Sequence, residues 1–212
     1  MLTKMFSVGS LYTNCYLVCC TKTGEALIID PGFETDLGAK AVFKEAGQQK
    51  LRVRYIINTH GHLDHTAGNG IAKRLTGAPI LIHKYDAPML TDPTRNLSMA
   101  FGLRSISMPP ADRTLQDGDI VQIGEVTLRI LHTPGHSRGS ICILRSDAVF
   151  TGDTLFAGSI GRTDLPSSSY EEIMLSIRKL AELPDHTAIY PGHGPSSTIG
   201  EEKRHNPFLE KL

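Results

Sequence analysis

The chain has no excess of either charge and no apolar run longer than a β-strand. Lysine plus arginine and aspartate plus glutamate each number 22, so we expect no basic surface for nucleic acid or anionic membranes. The apolar stretches, such as residues 16–20, are far too short to cross a bilayer. The first residues also lack the charged and apolar segments of a signal peptide. The sequence therefore predicts a protein that works without nucleic acid or membrane.

Cysteine is scarce, and its spacing excludes a Cys-x-x-Cys metal site. Three of the four cysteines, Cys15, Cys19 and Cys20, fall on one predicted strand, and the fourth is Cys142. Neighbours on a strand point to opposite faces, so Cys19 and Cys20 cannot share one site. Buried thiols in a reducing compartment fit this arrangement better than disulfides, which makes the cytoplasm the expected location.

No linker or low-complexity segment divides the 212 residues, which predicts a single domain over residues 1–212. Apolar periodicity predicts a series of strands over residues 3–8, 13–20, 25–30, 53–58, 79–82, 119–123, 126–132, 140–144 and 148–151. The same reasoning predicts helices over residues 36–47, 66–75, 84–90 and 169–182. Residues 91–112, which carry three prolines, are expected to form an irregular connection, with a substrate-facing loop as the alternative.

Metal-binding side chains are concentrated in residues 59–65, Thr-His-Gly-His-Leu-Asp-His. His60 and His62 are two residues apart, so on extended backbone they point the same way. Asp64 and His65 are adjacent, so their side chains point in different directions, which suits a second ion beside the first. The alternative is a polar loop in which histidines cluster without a ligand. We interpret the stretch as half of a two-metal site.

Two later Gly-His pairs, ending in His136 and His193, also follow apolar strands, and Asp153 follows a Thr-Gly turn at the end of another. This repetition suggests two similar halves whose strand ends supply one site. Together the candidates are five imidazoles and two carboxylates, enough for two ions that share one carboxylate and a hydroxide. The candidate ligands are His60, His62, Asp64, His65, His136, Asp153 and His193. The remaining histidines lack such context and are predicted not to bind metal: His83, His132, His186 and His205.

Asp30, in an Asp-Pro-Gly turn, has two open interpretations. It could cap the turn, or it could be a carboxylate that orients a metal-bound imidazole from behind.

These motifs resemble the five-part signature of the metallo-β-lactamase superfamily. The matching segments are residues 30–32, 60–65, 133–136, 152–153 and 191–193. The resemblance implies an α+β fold, a four-layer αβ/βα sandwich of two mixed, mostly antiparallel sheets with helices outside. It also implies that His60, His62 and His136 hold the first metal, that Asp64, His65 and His193 hold the second, and that Asp153 bridges them.

Within that superfamily the chain looks closest to the glyoxalase II-like branch, through residues 153–158, 161–164 and 198–208. That resemblance implies hydrolysis of a small-molecule thioester, typically S-D-lactoylglutathione, by a monomer or small homo-oligomer. Asp64 and Asp153 would be catalytic, and the cofactors would be two divalent ions, zinc in the first place and iron or manganese as alternatives. A bridging Asp153 is not used by the β-lactamases of this fold, which argues against that activity.

Two departures concern the thiol carrier. The chain ends at Leu212, so the helical C-terminal domain of the longer enzymes is expected to be missing. The tyrosines that those enzymes present to glutathione are replaced by Ile143 and by a non-aromatic residue within 161–164. Arg162 is the candidate for binding a substrate carboxylate, and the alternative is a solvated loop arginine.

Other reactions and roles remain open. Residues 161–164 also resemble persulfide dioxygenases, in which His60, His136 and Asp153 would bind one iron, although residues 165–168 depart from that pattern. A lactonase is a third option. A metal-binding scaffold without turnover is disfavoured by the intact ligand set, and a nuclease by the balanced charge.

Overall fold

The computed structural model of the protein describes residues 2–99 and 108–210. The first half forms a six-stranded sheet whose strands are neighbours in sequence order. Its strands are β1 (Leu2–Val8), β2 (Thr13–Cys19), β3 (Glu25–Ile29), β4 (Arg52–Ile57), β5 (Ile80–His83) and β6 (Arg113–Leu115). The pairs β1–β2 and β2–β3 are antiparallel, and the pairs from β3 to β6 are parallel.

The second half forms another six-stranded sheet, in the order β14-β13-β10-β9-β8-β7. The strands of this half, including a two-stranded hairpin β11–β12 outside the sheet, are β7 (Ile120–Ile123), β8 (Val126–His132), β9 (Ile141–Arg145), β10 (Ala148–Gly152), β11 (Leu155–Phe156), β12 (Ser159–Ile160), β13 (Ala188–Pro191) and β14 (Ser197–Thr198). Only the pair β10–β13 is parallel within this sheet.

The helices cover the outer faces of the two sheets. They are α1 (Asp36–Gln48), α2 (Leu63–Thr66), α3 (Asn69–Thr76), α4 (Tyr170–Ala181) and α5 (Ile199–His205), with a 3-10 helix at Ala87–Leu90. Thr35 and Ser169 cap α1 and α4 by accepting backbone N–H bonds, which is the usual helix-start chemistry.

Alternate residues of the central strands serve two different cores. In β3, Leu27 and Ile29 face the other sheet and pack among residues such as Ile130 and Phe150. Ala26 and Ile28 face outward, toward the core beneath α1 and α3. A third core packs the second sheet against α4 and α5. Three cores between four layers confirm the predicted αβ/βα sandwich, and strands buried on both faces explain the nearly continuous apolar runs.

The structure corrects one helix prediction. The helix predicted over residues 66–75 is two helices, α2 and α3, separated at Ala67 and Gly68. A Cβ at Gly68 would lie 2.4 Å from the Phe33 ring and from the Pro31 carbonyl oxygen. The chain therefore breaks where it passes under Phe33, a contact that helical periodicity does not report.

The helix predicted over residues 84–90 is also different, since it is only the short 3-10 helix that begins after Asp86. Residues 91–99 and 108–112 contain no helix or strand, and the rest of the connection predicted over 91–112 lies outside the described residues. Cys15, Cys19, Cys20 and Cys142 are buried free thiols, as predicted. Among the described residues, no helix is long and apolar enough to span a bilayer.

Candidate metal centre

Four strands from both sheets deliver the candidate ligands to one edge of the sandwich. His60 and His62 follow β4, His136 follows β8, Asp153 follows β10 and His193 follows β13. Asp64 and His65 lie in α2, directly after this first pair. The strand ends of the two halves therefore meet at one site, as the repeated pattern of strands followed by a histidine suggested.

The seven side chains form three overlapping groups in which the potential ligand atoms lie within 4.8 Å of one another. The groups are His60, His62 and His136; His60, His65 and Asp153; and Asp64, His65 and His193. The first and third groups correspond to the two predicted ligand sets. His60, His65 and Asp153 connect them.

Asp153 lies between the two predicted sets. One carboxylate oxygen, Oδ1, is 3.3 Å from His65 Nε2, while Oδ2 is 3.6 Å from His136 Nε2 and 3.7 Å from His193 Nε2. Both sides of the cluster are thus within reach of one carboxylate, which is the geometry that a bridging ligand requires.

The first ligand set presents nitrogen lone pairs to a common point. His136 Nδ1 donates to the Arg162 carbonyl oxygen at 3.0 Å, which leaves Nε2 unprotonated in the neutral ring. That Nε2 lies 3.0 Å from His62 Nδ1. The two ring nitrogens are close enough either to share a proton, with His62 Nδ1 donating, or to bind one cation in its place.

Asp30 sets the tautomers of two further ligands. It accepts the Thr59 hydroxyl at 2.6 Å and His65 Nδ1 at 3.0 Å. Because the only hydroxyl proton of Thr59 goes to Asp30, its oxygen accepts from His60 Nδ1, 3.1 Å away. In their neutral forms, His60 and His65 therefore both direct an unprotonated Nε2 toward the cluster. Asp30 contacts the imidazole from behind, which matches the second of its two interpretations.

The cluster passes a simple test for metal binding. Among the described residues, the buried His60 Nε2 has no hydrogen-bond partner, which is costly unless another group binds it. Burial, with the neighbouring imidazoles, lowers the pKa of His60 well below its usual value and that of His62 to about 3. Both rings are therefore held in the neutral form that binds metals. The donor set of imidazoles and carboxylates fits divalent ions.

The electrostatics also favour positive charge at the centre. Burial acts to lower the pKa of His65, but Asp64, Asp153 and Asp30 outweigh it and raise that pKa well above the usual value. For Asp64 and Asp153 burial acts upward, and the neighbouring His65 outweighs it, so both pKa values are lowered. A buried site that raises a histidine pKa in this way also attracts a metal cation.

A family model described as metallo-beta-lactamase superfamily matches residues 8–193. This chain belongs to that superfamily. The protein of Haemophilus influenzae named hydroxyacylglutathione hydrolase GloC is 37% identical over 210 residues, covering 97% of each chain.

Two solved structures resemble the chain over nearly all its length. BLEG-1, described as a B3 metallo-beta-lactamase, is 35% identical with a TM-score of 0.90, covering 98% of this chain and 99% of that chain. TTHA1623, solved in a di-iron-bound form, is 33% identical with a TM-score of 0.85, covering 97% of this chain and all of that one, 100%. The fold predicted for a member of the metallo-β-lactamase superfamily is confirmed by these likenesses.

Close backbone approaches explain the glycines of the superfamily motifs in this chain. A Cβ at Gly192 would lie 2.2 Å from Asp153 Oδ1 and 2.7 Å from His65 Cε1. Gly192 therefore has to be a glycine for the turn before His193 to reach the cluster.

Asp86 supports this metallo-β-lactamase superfamily site and was missed by the sequence analysis. Its buried carboxylate accepts the Gly61 N–H at 3.0 Å, the Ser137 hydroxyl at 2.6 Å and the Gly139 N–H at 2.7 Å. It thus connects the turn of His60 and His62 to the turn of His136. Burial raises the pKa of Asp86 despite these three donors. No local pattern marks it, because its partners lie 25 to 53 residues away.

Asn14 and Tyr16 hold the turn of His193 in the same way. Asn14 Nδ2 donates to the carbonyl oxygens of Pro191 and Gly194 at 3.0 and 2.8 Å, and the Tyr16 hydroxyl donates to Pro191 at 2.6 Å. Both residues sit on β2 and read in the sequence as ordinary strand positions.

Arg162 and the four histidines predicted not to bind metal are the remaining residues singled out in the sequence. Arg162 lies on the same cleft as the ligands, but its guanidinium donates two bonds of 2.7 Å to Asp164. This bond lowers the pKa of the Asp164 carboxyl to about 2. Among the described residues, the ligand groups include none of the four histidines predicted not to bind metal. His83 and His132 instead stack on each other, with ring centroids 4.2 Å apart.

Proposed function

We infer that this member of the metallo-β-lactamase superfamily is a hydrolase-like metalloenzyme. We propose that it is a binuclear thioester hydrolase of glyoxalase II type, acting on a small-molecule thioester such as S-D-lactoylglutathione. The observation that carries the proposal is Asp153, whose two carboxylate oxygens face both three-ligand groups. The likeness to a protein named hydroxyacylglutathione hydrolase supports the substrate class.

The ligand assignment follows the two outer groups. His60, His62 and His136 would hold one divalent ion, Asp64, His65 and His193 the other, and Asp153 both. Such a pair of ions supplies a water of lowered pKa as nucleophile and polarises the thioester carbonyl. Zinc is proposed first, with iron and manganese as alternatives, and the di-iron form of TTHA1623 supports keeping iron in the test.

Asp64 and Asp153 are the residues proposed to orient the attacking water, because both carboxylates line the open cleft. Asp64 Oδ2 accepts the Thr13 hydroxyl at 3.2 Å, a contact that does not involve another proposed ligand. This bond limits the rotation of the carboxylate, which reduces the cost of positioning the water.

The deciding experiment measures metal content in protein purified without added metal, together with hydrolysis of S-D-lactoylglutathione followed by thiol release. About two ions per chain with thioester turnover is the expected result. Two ions without turnover of any thioester would contradict the proposed substrate class. Protein stripped with a chelator and reloaded is the control.

The persulfide dioxygenase alternative is tested on the same sample. About one iron per chain, with oxygen uptake on glutathione persulfide, would establish it in place of the hydrolase. The convergence of Asp64, His65 and His193 supports the hydrolase, because a single-iron enzyme has no use for a second complete set.

Hydrolysis of β-lactams is a second candidate, because BLEG-1 resembles this chain over nearly its whole length. Including a chromogenic cephalosporin in the assay separates the two. We expect the thioester to be the better substrate by kcat/KM, since a bridging Asp153 argues against a β-lactamase. The lactonase option is tested with a simple lactone in the same series.

We further propose that the protein acts in the cytoplasm as a monomer or small homo-oligomer, without nucleic acid or membrane. The equal numbers of acidic and basic residues support this.

A further inference from the structure

The ligands open onto a cleft of about 660 Å³ whose wall is mainly apolar. Four of its apolar lining residues are Leu11, Leu63, Ala67 and Leu97. They belong to the Asp64 side of the metal cluster. Leu63 directly precedes Asp64, and its N–H donates to the carbonyl oxygen of Asn96, the residue before Leu97. The Thr13 hydroxyl, two residues after Leu11, donates to the Asp64 carboxylate. We call this side of the cleft the Leu11 end. A cleft of this size is in the range that holds a small organic ligand.

We propose that this end of the cleft binds an apolar acyl chain, so that the preferred substrates are thioesters of medium-length, uncharged acyl groups. The inference rests on the proposed thioester hydrolysis and narrows its substrate class. It differs from a preference for the short, hydroxylated lactoyl group.

The two leucines at this end contribute in different ways. Leu11 sits at the tip of the β1–β2 turn with 52% of its surface exposed, and it borders the cleft. Leu97 has a φ of 70°, a left-handed conformation that is uncommon for leucine, and is only 5% exposed, so it forms a packed part of the wall. Covering the Leu11 side chain with an acyl chain removes apolar surface from water, which favours binding in proportion to the area covered.

The charged residues that line the cleft also favour an uncharged acyl group at the Leu11 end. Glu34 lies at the Leu11 end, where its carboxylate accepts the Ser10 N–H and hydroxyl at 3.0 and 2.7 Å. An anionic acyl group would meet this negative charge. Among the described residues that line the cleft, Arg162 is the only lysine or arginine, and its backbone belongs to the His136 side. Because Arg162 is itself paired with Asp164, the charges decide only the Leu11 end, where Glu34 favours an uncharged acyl chain over an anionic one.

The first test is a series of N-acetylcysteamine thioesters with acetyl, butyryl, hexanoyl and octanoyl groups, assayed with the metal-loaded protein. We expect kcat/KM to rise about two- to fourfold for each added methylene up to the capacity of the cleft. A succinyl thioester, similar in length to butyryl but anionic, should be the poorest of the series. Equal or falling kcat/KM along the series would overturn the inference.

Variants separate the apolar wall from general effects. Leu11→Ser should flatten the chain-length dependence of kcat/KM, because it removes an exposed apolar side chain from the wall of the cleft. Leu75→Ser is the matched control, since Leu75 is 50% exposed but lies outside this cleft, and it should retain the wild-type dependence. Equal slopes in wild type and Leu11→Ser would contradict the assignment.

A binding measurement distinguishes failure of this inference from failure of the proposed function. Non-hydrolysable 2-oxoalkyl thioethers of N-acetylcysteamine are titrated calorimetrically into the metal-loaded protein. Affinity that rises with chain length, without thioester turnover, would retain the apolar subsite and refute the hydrolase. Thioester turnover with affinity independent of chain length would retain the hydrolase and refute the subsite.

Discussion

At the scale of single residues, Asp153 is the most informative side chain of the candidate centre. Asp153→Ala should reduce thioester kcat/KM by at least about 10³-fold, because no other carboxylate reaches both ligand groups among the described residues. The fold should be retained, with a loss of stability of about 1–3 kcal/mol, because the variant removes one of the three carboxylates that face the buried His65. Turnover assays and urea unfolding measure the two effects. Asp147→Ala, an exposed aspartate elsewhere, is the control, and wild-type turnover in Asp153→Ala would refute the two-metal proposal.

Asp30 is a second residue to replace, because it is proposed to orient a metal-binding histidine without binding the metal itself. Its Oδ2 accepts both the Thr59 hydroxyl and His65 Nδ1, and its Oδ1 accepts the Thr59 N–H at 2.7 Å. In Asp30→Asn an amide NH₂ must face at least one of these donors. We expect metal affinity to fall about 10- to 100-fold and stability by about 1–3 kcal/mol.

Competition with a chromogenic chelator measures the metal affinity of Asp30→Asn, and urea unfolding of chelator-treated protein measures its stability. Asn tolerates the left-handed backbone at this position, where φ is 49°, so backbone strain does not confuse the result. Unchanged metal affinity would show that Asp30 serves the turn alone.

Individual ligands could be predicted because the chemistry is local in sequence. His60, His62, Asp64 and His65 lie within six consecutive positions, and no apolar core requires that composition. The residues that hold the turns of these ligands in place could not be predicted in this way. Asp86 bonds to turns 25 and 51 residues away, and Asn14 bonds to Pro191, 177 residues away. Such contacts exist only after both sheets have formed.

At the scale of secondary structure, the break between α2 and α3 is set by packing. Gly68→Ala should lower the free energy of unfolding by about 1–3 kcal/mol, because the added methyl would overlap the Phe33 ring and the Pro31 carbonyl. The matched control is Gly47→Ala in α1, where a Cβ meets nothing within 4 Å. That variant should stabilise the protein by about 0.5–1 kcal/mol through helix propensity. Urea titrations of both variants test the pair, and equal effects would contradict the packing explanation.

The elements that periodicity predicted are those long enough to show a period. Helix α4 differs from its predicted bounds by one residue at each end, and β8 matches residues 126–132. The two-residue strands β11, β12 and β14 are too short for alternation to be visible. Their positions depend on neighbouring chain segments, such as the pairing of β14 with β13.

At the scale of the whole molecule, the two halves contact each other through a pair of stacked histidines outside the metal centre. His83 ends β5 of the first sheet, and His132 ends β8 of the second. His83 is buried, and burial together with the charges of His132 and Lys84 lowers its pKa to about 4, while Asp117 and Asp119 act weakly in the opposite direction. Protonation of this ring would put a buried positive charge between the two sheets.

The lowered pKa of His83 predicts how stability depends on pH. Between the usual histidine value near 6.5 and the folded value near 4, the unfolded chain binds a proton that the folded protein does not. The contribution of His83 to stability is therefore complete above about pH 6.5 and is lost as the pH falls toward 4. In His83→Gln this loss should be absent, so the wild type should lose about 1–3 kcal/mol more than the variant across that interval.

The measurement is urea unfolding at half-unit pH steps on chelator-treated protein, with the wild-type and variant curves subtracted to remove the titration of the other histidines. His205→Gln is the control, because His205 is 71% exposed, and its curve should follow that of the wild type. If His83→Gln also follows the wild type, the stacked pair carries no pH-dependent link between the halves. Acid sensitivity would then originate in the ligand cluster, where the pKa values of His62 and Asp153 are lowered in the folded chain.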